Sequence, residues 1–125
     1  MQIALSRIIL FGQNIAKLKD FYIENFGLSL VEEIKDEWVV LKAGQMEIAF
    51  HKIGAAYQSA GEFKAESNTK LVFKIETELA ALRKRLISDG VLLGEIKSFP
   101  GIDALFCDGE DPEGNVFQLE QQTVK

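Results

Sequence analysis

The sequence predicts an α+β domain in which one βαβββ unit is written twice. Three observations predict it. Segments with strand-like alternation and segments with helical spacing follow each other in the same order in both halves. Capping residues fall at matched places, with Asn14 and Thr77 at helix starts and Gly27 and Gly90 at helix ends. The distances also repeat: Arg7 to Asn14 and Lys70 to Thr77 are both 7 residues, Asn14 to Gly27 and Thr77 to Gly90 are both 13, and the halves are offset by 63. A twofold repeat of this length is neither a solenoid nor a propeller, which need more units. It predicts a single domain over 1–125, with a first half at about 1–53, a connection at about 54–68, a second half at about 69–125, and a sheet surface that both halves share.

Each element has its own reason. Residues 3–11 read as a buried strand, with Leu5, Arg7 and Ile9 on one face and Ser6, Ile8 and Leu10 on the other. Ile15, Leu18, Phe21, Tyr22 and Phe26 then recur at helical spacing, which predicts a helix over about 15–26. Strands follow near 28–35, 37–43 and 46–52, the last with Ile48 and Phe50 alternating against Glu47, Ala49 and His51. Residues 54–68 are small, polar and aperiodic, so they read as a mobile connection, with Tyr57 and Phe63 available as a lid. In the second half, 70–75 alternates Lys70, Val72 and Lys74 against Leu71, Phe73 and Ile75. Leu79, Leu82 and Leu86 form the stripe of a helix that Gly90 ends, and strands are expected near 91–97, 102–108 and 115–121.

Composition excludes several classes of function. The chain has 125 residues, is 47% hydrophobic and carries a net charge of -5, with a pI near 4.9, so it is no general nucleic-acid binder. Its one cysteine, Cys107, permits no intrachain disulfide and no cysteine-based zinc site. Cys107 is expected as a small buried residue without a partner to activate it. No apolar run is long enough to span a membrane, and the first residues do not read as a signal peptide. A reducing, cytoplasmic setting is the expectation. Gly101, Gly109 and Gly114 lack the strand-to-helix context of a phosphate loop, and Arg83, Lys84 and Arg85 read as a solvated helix face.

The last strand is the best-specified element. In Asp111-Pro112-Glu113-Gly114-Asn115, Pro112 presets its backbone angle, Asp111 can bind its local backbone, and Gly114 accepts a positive φ. Beyond this turn Phe117 and Leu119 point one way while Val116, Gln118 and Glu120 point the other.

The run Asn-Ile-x-x-Leu-x-x-Phe-Tyr-x-x-x-Phe-Gly-Leu from Asn14 to Leu28, together with Asp-Pro-Glu-Gly-Asn-x-Phe-x-Leu from Asp111 to Leu119, resembles the vicinal oxygen chelate superfamily. That superfamily includes glyoxalase I, extradiol dioxygenases, fosfomycin resistance proteins and bleomycin-binding proteins. The resemblance covers nearly the whole chain. It implies two βαβββ modules in an incomplete barrel with a site on its concave side, and a homodimer. It also implies that the positions that hold a divalent metal in the superfamily's enzymes are here Arg7, Ala49, Lys70 and Gln118. Arginine and lysine are cations without a free lone pair, alanine has no ligand atom, and one neutral amide does not hold a divalent ion. The expectation is therefore no metal and no cofactor.

The candidate site that remains consists of Arg7, Trp38, Glu47, Ala49, His51, Lys70, Phe106 and Gln118. If Arg7, Lys70 and Gln118 converge, they form a polar anchor for an anionic or carbonyl-bearing ligand. The alternative is that these charges are simply paired with Glu47 or Glu120 on the same face. Trp38 and Phe106 would supply aromatic walls or belong to the core. His51, the only histidine, is a rim base or a plain surface residue. The leading expectation is a metal-free small-molecule binding protein. A divergent lyase or dioxygenase, or a metal-free isomerase using His51 or Glu47 as base, is the alternative, and a fold used for protein association is a third. The acidic surface points to a cationic ligand and the internal cations to an acid, and the sequence leaves that conflict open.

Overall fold

The structure is a computed structural model, and it describes residues 2–58, 61, 63–66 and 68–123. The chain divides into two compact units, Met1–Ala65 and Glu66–Lys125. The first unit runs β1 (Arg7–Gly12), α1 (Ile15–Phe26), β2 (Ser29–Ile34), β3 (Trp38–Ala43) and β4 (Met46–Lys52), and the second runs β5 (Lys70–Ile75), α2 (Leu79–Ser88), β6 (Leu92–Leu93), β7 (Ala104–Glu110) and β8 (Val116–Gln122). Each is a βαβββ unit, and the two sheets have the same strand order, β1-β4-β3-β2 and β5-β8-β7-β6. The α+β fold class and the repeat are as the sequence predicts.

In the first unit the parallel pair β1–β4 is set by the crossover through α1, and the two following hairpins give antiparallel neighbours. The Asn14 side chain accepts the Lys17 N–H at 3.1 Å, and Gly27 closes the helix at φ 67°. Ile15, Leu18 and Tyr22 of α1 are buried with Val39, Leu41, Ile48 and Phe50 of the sheet, and Tyr22 stacks on Phe50 at 5.3 Å. The strand expected over 3–11 starts only at Arg7. Its partner β4 begins at Met46, the last bond on that side runs from the Glu47 N–H to the Ser6 carbonyl, and Ile3 and Leu5 are exposed. After β4 a short 3₁₀ turn (Ala55–Tyr57) leads into the connection, of which residues 59, 60, 62 and 67 lie outside the described residues.

In the second unit Leu71, Leu79, Leu86, Cys107, Phe117 and Leu119 form the core. Two expectations are corrected here. The first helix residue is Leu79, with Glu78 and not Thr77 at the N-cap. Glu78 makes no side-chain capping bond; instead Gln121 of β8 takes the Leu79 N–H on its Oε1 at 2.7 Å. The strand expected over 91–97 is only two residues long, with an isolated bridge from Lys97 to Phe106. The ladder stops at Gly94: its N–H still donates to the Asp108 carbonyl of β7 at 2.8 Å, but its carbonyl turns away to accept from Arg83 Nε at 2.8 Å and from Cys107 Sγ at 3.3 Å. Arg83 is therefore a structural link and not a purely solvated residue.

The turn before β8 is built as its sequence predicts. Asp111 Oδ1 accepts the N–H groups of Glu113 and Asn115 at 2.9 and 3.0 Å, and Asn115 Nδ2 donates to Asp111 Oδ2 at 2.8 Å. Gly114 has φ 82°, a conformation L side chains rarely adopt. Asp111, Glu113 and Asn115 are all buried, so these polar residues form the turn and do not face a ligand.

Candidate functional site

Strand register decides which side chains share a face. On the first sheet, away from α1, the paired positions form three rungs. Arg7, Glu47 and Lys42 make the first, Ile9, Ala49 and Val40 the second, and Phe11, His51 and Trp38 the third. Charge therefore lies at one end of the face and aromatic surface at the other. Arg7 Nη2 and Nε contact Glu47 Oε1 at 2.7 and 2.9 Å. The Arg7 guanidinium also lies 5.7 Å from the Trp38 ring centroid, so its side chain runs across the middle rung, where Val40 and Ala49 are fully buried.

The third rung is a row of rings. Phe11 and His51 are 5.7 Å apart, and His51 and Trp38 are 5.8 Å apart. Trp38 Nε1 donates to Glu32 Oε2 at 2.7 Å, which fixes the indole. Ile9, Phe11, Ile34, Glu37, Trp38 and His51 line an open groove of about 430 Å³, walled almost entirely by carbon. The turn from β2 to β3 carries Asp36 at φ 62°, and it sets Glu37 at the rim. Of the sequence-predicted residues, Arg7, Trp38, Glu47, Ala49 and His51 thus share one face. Ile9, Phe11, Ile34 and Glu37 are the groove residues that sequence reasoning did not place in the site. Phe11 was legible from alternation with Arg7 and Ile9, whereas Ile34 and Glu37 depend on the register of the β2–β3 hairpin.

The second unit has its own polar cluster. Lys70 Nζ lies 3.0 Å from Asp108 Oδ2, and Gln118 Nε2 donates to Asp108 Oδ1 at 3.0 Å. Asp108 is the partner that sequence reasoning did not single out, and it meets Gln118 because the two are register partners in β7 and β8. Partial burial pushes its carboxyl up. The hydrogen bonds from Lys70 and Gln118, with the charges of Lys70 and Lys97, outweigh that and hold it below its ordinary value. Phe106 lies on this same face of the sheet and packs against Phe99, with ring centroids 5.7 Å apart. Cys107 is buried, and burial pushes its thiol up, which makes it unreactive.

The residues at the metal positions implied by the resemblance do not fit a divalent ion. Arg7 is a cation held by Glu47, Ala49 has no donor atom, Lys70 is a cation held by Asp108, and Gln118 turns its amide N–H to the same carboxylate. Among the described residues, no three His, Cys, Asp or Glu side chains are grouped as one ion would need.

No protein-family model matches the chain, and no curated protein matches it. Solved structures do match. The fold is the one found in a lactoylglutathione lyase and in fosfomycin resistance proteins. The genomically encoded fosfomycin resistance protein FosX from Listeria monocytogenes is 18% identical, with a TM-score of 0.76, over 99% of this chain and 97% of that one. The lactoylglutathione lyase from Agrobacterium tumefaciens is 17% identical, with a TM-score of 0.74, over 94% and 92%. An integron cassette protein from the mobile metagenome of V. cholerae is 21% identical, with a TM-score of 0.73, over 97% of both chains. No helix among the described residues is long and apolar enough to cross a membrane.

Proposed function

We propose that the chain is a metal-independent small-molecule binding protein that uses the open face of its first sheet. The observation that carries this reading is the aromatic groove of about 430 Å³ beside the Arg7–Glu47 pair, a size and composition typical of small-molecule sites. Rings and aliphatic carbon give the ligand its affinity, and a few charged groups at the edge orient it. The cations expected to anchor an acid are engaged by Glu47 and Asp108, which favours a ligand that does not rely on them.

The alternative, a lyase or dioxygenase like the enzymes that share the fold, needs a metal that Arg7, Ala49, Lys70 and Gln118 do not provide. A homodimer in a reducing cytoplasm is part of the proposal and rests on the superfamily resemblance and on the single, buried thiol. Light scattering of the purified protein tests the dimer.

Trp38 is the only tryptophan of the chain and lies in the groove, so the protein carries its own reporter. A thermal-shift screen of small aromatic and aliphatic compounds, followed by Trp38 fluorescence titration of the hits, tests the reading. Saturable quenching that Phe11→Ala weakens by about tenfold, with the thermal shift of the hits lost in Trp38→Ala, is the expected result. Hits that stabilise the protein without touching Trp38 fluorescence would place the binding elsewhere.

A further inference from the structure

We infer that the groove selects flat aromatic groups carrying a positive charge, such as an arylmethylammonium or a protonated heteroaromatic ring. This rests on the reading of the groove as a small-molecule site and names its ligand class. Three features of the groove point to it.

The first is the wall. Phe11, His51 and Trp38 present ring surface in one row, tilted to each other by 58° and 73°, with Ile9 and Ile34 beside them. Such a row accepts a flat ring by stacking and edge contact, and the negative faces of its phenyl and indole rings attract a cation. Trp38 already holds one cation in this way, the Arg7 guanidinium at 5.7 Å from its centroid.

The second is the charge at the rim. Among the lining residues Glu37 is the one carboxylate, and it makes no ion pair or side-chain hydrogen bond among the described residues. A cation seated on the rings therefore finds a carboxylate that has no competing partner. The third concerns anions. The Arg7 guanidinium, placed on this face by its contact with Trp38, has two nitrogens on Glu47 Oε1, so its charge is already offset by a carboxylate, and the other cation of the face, Lys42, lies on the rung farthest from the rings. Glu32, which accepts from the indole N–H, adds further negative charge on the Trp38 side. The groove thus resolves the conflict between acidic surface and internal cations in favour of a cationic ligand.

The test is a matched series on one ring: 2-naphthylmethylamine as the cation, 2-naphthylmethanol as the neutral compound and 2-naphthoate as the anion, each titrated into the full chain and followed by Trp38 fluorescence. The amine should bind about tenfold more tightly than the alcohol, the ratio that about 1.4 kcal/mol represents. The naphthoate should bind more weakly than both. Glu37→Gln, at an exposed turn position, should bring the amine to within about twofold of the alcohol. Equal binding of all three compounds overturns the charge preference and leaves the small-molecule reading standing, and so does tighter binding of the naphthoate. Failure of all three to bind, together with an empty thermal-shift screen, overturns both.

Discussion

Asp108 shows how a cation and an amide that look like a ligand anchor become a closed local circuit. Its carboxylate takes both the Lys70 ammonium and the Gln118 amide, and this is why its carboxyl is held below the ordinary value. The folded state therefore binds fewer protons than the unfolded state in the acid range, where unfolded carboxyls titrate near about 3.9. Stability from this group is fully present above that value and is lost as the pH falls through the folded value. Carbon-detected NMR titration should place Asp108 below the ordinary aspartate value, and Lys70→Met should move it up. A midpoint unaffected by Lys70→Met would separate the two groups. Gly109, one residue on, is constrained by space instead of charge. A Cβ there would lie 2.5 Å from both Leu93 and Phe117 and 2.8 Å from the Leu92 carbonyl, so Gly109→Ala should cost about 1–3 kcal/mol in denaturant unfolding as the short β6 is pushed off β7.

Among the elements, α1 and α2 differ in what starts them. Asn14 caps α1 from within its own chain segment, and the sequence signal is plain. The start of α2 is capped by Gln121, which stands beside Ile75 across the β5–β8 pair. Gln121→Ala should therefore destabilise the protein by about 1 kcal/mol, comparable to Asn14→Ala, while Thr77→Ala should change little. Thermal unfolding of the three variants decides the order. The same distinction explains what was legible before the structure. Alternation placed Arg7, Ile8, Phe117, Gln118 and Leu119 on their correct faces, and the Asp111 turn was readable because the bonds from Asp111 to Glu113 and Asn115 are local. The breakdown of the strand at Gly94 was not readable, because it depends on Arg83 and Cys107 reaching one carbonyl from two other elements. Asp108 escaped notice for a similar reason: its importance lies in a register partner 10 residues away and an ion-pair partner 38 residues away.

For the molecule as a whole, the repeat in the sequence is a repeat in topology, and each unit has put different chemistry on an equivalent scaffold. The first sheet carries an ion pair that grades into an aromatic groove, and the second carries a carboxylate clamped by a lysine and a glutamine. Among the described residues neither offers a donor set for a divalent ion, although the fold matches a lactoylglutathione lyase and a fosfomycin resistance protein along nearly its full length. The charge-complemented positions Arg7 and Lys70 make the account specific about metal. Elemental analysis of the purified protein, with Trp38 fluorescence binding of a screened ligand measured before and after chelation, tests it most directly. The account predicts far less than one zinc, nickel, manganese or iron per chain and a binding curve that chelation does not move. About one metal per chain, with binding lost on chelation and restored by the metal, would contradict it.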